Sequence, residues 1–187
     1  MGDFKIIFIH GYTASHLADW YPNISKELDA LGIDYAIPDL PGGKKPHSKE
    51  WLQVIDREVK RSNKPVVLVG HSLGTRAALL YLDQYKQPAK AVFLIAAFAN
   101  RVENAERRDR SYADFFEYKI SIGAVKKLCD QLIVIHATDD NSIDIEQGKD
   151  IAEDLDAKLI TVDGRGHLYK PSNASFILEQ LRRELGF

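Results

Sequence analysis

Short apolar, β-branched runs alternate along this chain with longer stretches in which apolar positions recur every three or four residues. Runs at 4–9, 34–38, 65–69, 91–96, 132–136 and 158–162 read as strands, and helical spacing occupies 19–31, 51–61, 73–85, 145–155 and 172–185. Gly32 ends the first helical stretch. The run at 91–96 is continuously apolar rather than alternating, the pattern of a strand covered by helices on both faces. The alternation breaks only at 100–129, an irregular excursion with a charged stretch at 101–110 followed by Tyr112, Phe115, Phe116 and Tyr118. Six strands separated by helices predict an α/β fold: a three-layer, doubly wound, mostly parallel sheet with right-handed crossovers. A length of 187 residues suits one domain spanning 1–187 with a single sizeable core.

Composition narrows the functional classes. Hydrophobic residues make up 45% and charged residues 28% of the chain, and a formal net charge of -2 gives no electrostatic basis for binding nucleic acid or an anionic membrane. Apolar runs all fall well short of the roughly 18 residues that a membrane helix needs. The single cysteine, Cys129, has no partner for an internal disulfide, and Met1-Gly2-Asp3-Phe4-Lys5 lacks the basic-then-apolar pattern of a signal peptide. These features predict a cytoplasmic protein.

In an open parallel sheet the ligand site lies beyond the carboxyl ends of the strands. After the third strand stands Gly70-His71-Ser72-Leu73-Gly74, a G-x-S-x-G directly between an apolar run and an Ala/Leu-rich helical pattern. Glycines two residues either side of Ser72 permit a sharp strand-to-helix turn that pushes the hydroxyl out at the sheet edge. The bland alternative is a βα turn in which Ser72 only caps the helix. A serine hydroxyl needs a base to take its proton, and an imidazole serves best when a carboxylate fixes its tautomer. Asp139 and Asp140 follow the strand at 132–136, and His167 follows the last strand in Gly164-Arg165-Gly166-His167. The order Ser72, Asp, His is that of α/β-hydrolases.

The chain resembles that superfamily and, more narrowly, the small, capless serine-hydrolase family that includes retinoblastoma-binding protein 9 and its bacterial relatives. The resemblance rests on His10-Gly11-Tyr12-Thr13 with Trp20 after it, Asp39-Leu40-Pro41 leading to Trp51, the Gly70–Gly74 elbow, Asp140-Asn141-Ser142-Ile143 and Gly166-His167. It implies a minimal α/β-hydrolase fold without a cap domain. It further implies Ser72 as nucleophile, His167 as base, Asp140 as acid, and the backbone N–H groups of Tyr12 and Leu73 as the oxyanion hole. Family members carry valine and proline shortly after the acid, where this chain has Ile143-Asp144; counting back from Ile143 selects Asp140 over Asp139, and the carboxylate of Asp144 is a departure.

Other candidates have plainer readings. His10 orients the oxyanion loop, His71 packs beside the nucleophile, and His136 is structural. The acidic residues at 139–144 lack the glycine of an EF-hand, and Pro41-Gly42-Gly43-Lys44-Lys45 lacks the spacing of a P-loop. The expected activity is hydrolysis of a small-molecule, short-chain carboxylic ester, extending to thioesters or amides, with no cofactor or metal and with the 100–129 excursion selecting substrate. The rival expectation is a protein-interaction module built on a hydrolase scaffold.

Overall fold

Successive strand residues point to opposite faces of a pleated sheet, and here both faces are buried. Ile6, Phe8, Val67, Val69, Phe93 and Ile135 fill one core with Trp20, Tyr21, Ile24, Leu28, Ile177 and Leu181. Ile7, Ile9, Leu68, Leu94 and Val134 fill the other with Trp51, Ile55, Ala77, Leu80 and Ile151. The computed structural model describes residues 3–100 and 111–187; the charged stretch read from sequence at 101–110 lies outside them.

Six strands, β1 (Lys5–Ile9), β2 (Asp34–Ala36), β3 (Val66–His71), β4 (Ala89–Ile95), β5 (Cys129–Ala137) and β6 (Lys158–Val162), form one sheet in the order β2-β1-β3-β4-β5-β6. Every pairing is parallel. Among the described residues the helices are α1 (Tyr21–Leu31), α2 (Ser48–Lys60), α3 (Leu73–Tyr85), α4 (Asp114–Glu117), α5 (Ile122–Lys126), α6 (Ile145–Leu155) and α7 (Ala174–Leu185). None is long and apolar enough to cross a membrane. Helices α1 and α7 cover one face, and α2, α3 and α6 the other.

Several boundaries differ from the sequence pattern. Asp19, expected to open the first helix, has φ +53, which a right-handed helix cannot contain, so α1 starts at Tyr21. The irregular excursion is shorter than expected, because it holds two short helices and because β5 begins at Cys129, where the chain pairs with Ala89. Helix α2 begins three residues early, at Ser48, whose N–H donates to the Asp114 carboxylate at 2.7 Å.

Helix α3 is buried along almost its whole length, including Arg76 and Asp83. The Arg76 guanidinium donates to the carbonyls of Phe115 (2.8 Å) and Tyr118 (2.6 Å) and to Asn100 Oδ1 (3.1 Å). It also lies over the Phe116 ring. Burial pushes it down to about 10, so it remains a cation at neutral pH. Asp83 accepts from the Ser121 N–H at 2.7 Å. Two polar side chains of one buried helix therefore tie down the chain from 115 to 121, giving otherwise orphaned carbonyl and N–H groups their partners.

The crossing of α3 over β1 and β3 leaves no room for side chains at two positions. A Cβ on Gly70 would stand 2.6 Å from the Gly74 carbonyl oxygen, and one on Gly74 would overlap the carbonyl oxygen of Ile9. Gly123 in α5 has open space around it. Gly74→Ala is expected to cost at least about 2 kcal/mol in urea denaturation, whereas Gly123→Ala is expected to be neutral or stabilising by about 0.5–1 kcal/mol. Equal midpoints for the two variants would contradict the packing described at Gly74.

Candidate active site

The strand order reverses between β1 and β3, and the crevice beyond their carboxyl ends is where such sheets take ligands. Ser72 stands at that point with φ 53 and ψ -119, a conformation rare for any residue but glycine. Its N–H donates to Ile95 at 2.9 Å, and its carbonyl accepts from the N–H and the hydroxyl of Thr75 at 3.0 and 2.6 Å. The turn is thus fixed through its backbone while the side chain makes no capping bond to α3. The plain helix-cap reading of Ser72 therefore does not describe the molecule.

The hydroxyl instead lies 2.9 Å from His167 Nε2, and His167 Nδ1 lies 2.8 Å from Asp140 Oδ2. A carboxylate can only accept, so Nδ1 carries the proton and Nε2 faces the serine. Asp140 is buried, and its other oxygen accepts the N–H groups of Ser142 (2.8 Å) and Ile143 (3.0 Å). Burial on its own pushes the carboxyl up. Hydrogen bonds from His136, His167 and Ile143, with the charge of His167, outweigh it and hold Asp140 well below the usual carboxylate range.

The two adjacent aspartates do different work. Asp139 does not reach the imidazole; its Oδ1 accepts the N–H groups of Arg165 and Gly166, both at 3.1 Å, and so braces the loop that carries His167. From below, His71 Nε2 donates to the His167 carbonyl at 2.9 Å. Burial, then the neighbouring charge of His167, pushes His71 down to about 4, which keeps it neutral. Asp144 caps α6 by accepting the Glu146 N–H at 2.9 Å, so the departing carboxylate has a local structural use.

His136 is the residue whose part the sequence pattern missed. Fully buried, it donates from Nε2 to the Ile143 carbonyl at 2.9 Å, and the same nitrogen lies 3.5 Å from Asp140 Oδ2, the oxygen that also faces His167. Gly148 makes room for it, since a Cβ there would collide with the ring. A glycine inside the helical pattern at 145–155 was the available signal.

On the other side of the crevice, the Leu40 N–H donates to His10 Nε2 at 2.9 Å, which leaves the proton on Nδ1 for the Gly11 carbonyl, also at 2.9 Å. Carbonyl and N–H of one trans peptide point in opposite directions, so His10 turns the Tyr12 N–H away from its own ring. Leu73 opens α3, and the first N–H groups of a helix have no intrahelical acceptor. A cavity of about 530 Å³ is lined by Tyr12, Ser72, Phe98, Tyr112, Ile143 and His167 among others, within the range of small-ligand sites. Among the described residues, no three His, Cys, Asp or Glu side chains gather as metal ligands.

Known proteins resemble this chain in sequence and in fold. YdeN of Bacillus subtilis (strain 168) is 28% identical over 165 residues, covering 87% of this chain and 85% of that protein. The serine hydrolase RBBP9 of Rattus norvegicus is 26% identical over 158 residues, covering 84% and 81%. The crystal structure of the ydeN gene product from B. subtilis superposes with a TM-score of 0.86 at 23% identity over 98% of this chain and 99% of that one. An α/β hydrolase domain-containing protein 10 from mouse does so with a TM-score of 0.70 at 14% identity, over 97% and 89%. The sequence profile of the family described as serine hydrolase matches residues 6–176. With nearly the whole length matched and an α/β-hydrolase sheet beneath it, this chain belongs to the serine hydrolase family.

Proposed function

We propose that this serine hydrolase cleaves small or short-chain carboxylic esters, and by the same chemistry thioesters or amides, through an acyl-enzyme on Ser72. The observation that carries the reading is the continuous hydrogen-bonded chain from Ser72 Oγ through His167 to Asp140, at 2.9 and 2.8 Å. His167 Nε2 takes the hydroxyl proton as Ser72 Oγ attacks the ester carbonyl, and Asp140 stabilises the imidazolium that forms. The N–H groups of Tyr12 and Leu73 hold the oxyanion, with the N-terminal end of α3 adding a favourable dipole. The imidazolium then gives its proton to the leaving alkoxide. Water attacks the acyl-enzyme by the same sequence, with His167 again as base, and frees Ser72 and a carboxylic acid. Phe98, Tyr112 and Ile143 supply apolar wall for a short acyl chain. The anchoring of 115–121 by Arg76 and Asp83 keeps the neighbouring segment in place.

Hydrolysis of p-nitrophenyl acetate and butyrate tests this reading. Ser72→Ala and His167→Ala are each expected to lower kcat by about 10³-fold or more, the size seen when a member of such a unit is removed. A Ser72→Ala protein with near-native turnover would overturn the assignment.

The role given to Asp140 requires a carboxylate that stays ionised. Its carboxyl titrates lower in the folded chain than the roughly 3.9 of an unfolded aspartate. The carboxylate therefore adds stability that is fully present above about pH 4 and is lost as pH falls through the lower folded value. The gap in Tm between native protein and Asp140→Asn is expected to be widest near neutrality and to narrow below about pH 4. A gap independent of pH would contradict the depressed titration.

A further inference from the structure

Asp19 is a feature that the proposed reaction leaves unused. It lines the same cavity as Ser72 and His167, and among the described residues lining that cavity it is the only carboxylate, with no lysine or arginine beside it. It stands just ahead of α1, where an aspartate ordinarily caps, yet the helix receives no side-chain capping bond. Its backbone holds φ +53. No salt bridge of the described residues uses it. Burial raises its carboxyl, and His167, which lines the same cavity, pulls the other way.

A fixed negative charge acts differently on a transition state and on a substrate cation. During acyl transfer an imidazolium and an oxyanion develop together, so the carboxylate favours one and opposes the other, and its effects on a neutral ester largely cancel. A positive charge carried by the substrate has no such counterpart. It gains attraction from Asp19 on binding and keeps it through the reaction. Tyr12, Phe98, Tyr112 and Tyr169 line the same cavity, and aromatic faces attract ammonium groups as well.

We infer that Asp19 makes the cavity selective for esters bearing a cationic ammonium group. The inference rests on the hydrolase reading above. Bond making and breaking are unchanged; Asp19 sets only which substrate is held.

Two isosteric ester pairs test it without interference from substrate titration. In the first, p-nitrophenyl 4-(trimethylammonio)butyrate is compared with p-nitrophenyl 5,5-dimethylhexanoate, placing the charge on the acyl side. In the second, acetylcholine is compared with 3,3-dimethylbutyl acetate, placing it on the alcohol side. The readout is the ratio of kcat/KM for cationic over neutral ester in native protein, Asp19→Asn and Asp19→Gly. Both replacements accept positive φ readily, so neither strains the backbone. The ratio is expected to exceed one in the native protein for at least one pair and to fall about fivefold in both variants, the size of an ion pair worth about 1 kcal/mol. Raising the salt to about 1 M is expected to shrink the native ratio but not that of the variants. Native ratios at or below one for both pairs, or ratios that neither variant changes, overturn the assignment to Asp19 while leaving ester hydrolysis standing. Native protein that hydrolyses the neutral esters no faster than Ser72→Ala overturns the hydrolase reading and this inference with it.

Discussion

The close crossing of α3 over β1 and β3 is the constraint on which the rest depends. Backbone stands where side chains would be at Gly70 and Gly74, and between them Ser72 is forced to φ 53. A strained serine of this kind persists only where its surroundings over-determine it. Here they do so through backbone alone: Ile95 accepts its N–H and Thr75 donates to its carbonyl. Because no side-chain bond is spent on holding the turn, the hydroxyl is left for His167. The same crossing brings the start of α3 against the carbonyls of Ile9 and His10 and sets Gly11 beside Ser72.

Opposite the serine, position is set by three imidazoles and one carboxylate. His10, His71 and His136 are all buried, and each donates from one ring nitrogen to a main-chain carbonyl, of Gly11, His167 and Ile143 respectively. They act as rigid spacers, each held by a proton directed at the main chain. Asp140 is the buried charge, and such a group is tolerable only when well supplied with donors. It has the N–H groups of Ser142 and Ile143, the imidazole of His167 and the nearby ring of His136. Asp139, one residue earlier, faces the loop of His167 instead. Adjacent carboxylates thus divide the work of orienting one imidazole, the first through the backbone that carries it and the second through the ring.

Much of this was legible in the sequence because it depended on local chemistry. Glycine spacing around Ser72 announced the turn, continuous apolar runs announced a sheet covered on both faces, and Gly164 and Gly166 announced the loop before His167. What escaped was set by contacts distant in sequence. Asp139 and Asp140 are chemically identical neighbours that the residues alone leave open; the resemblance selects Asp140, whose contact with the imidazole depends on the path of the chain after β5. His136 reads as a strand-end residue until Gly148, twelve positions on, is seen to leave space for its ring. Arg76 carries a guanidinium, a costly group to bury. It is buried because the carbonyls of Phe115 and Tyr118 lie where it can reach them, a fact of tertiary packing alone. Asp19 reads as a helix start, and its left-handed backbone has no signature in the pattern of apolar positions.

Mapping the adduct of a fluorophosphonate probe by peptide mass spectrometry tests most directly whether Ser72 is activated, because the reagent responds to the nucleophile without requiring the right ester. One adduct per chain, on the peptide containing Ser72 and suppressed by His167→Ala, is the predicted result. Folded protein that stays unmodified, or that carries its adduct on another residue, would contradict the chemistry assigned to this crevice and favour a scaffold that works by binding.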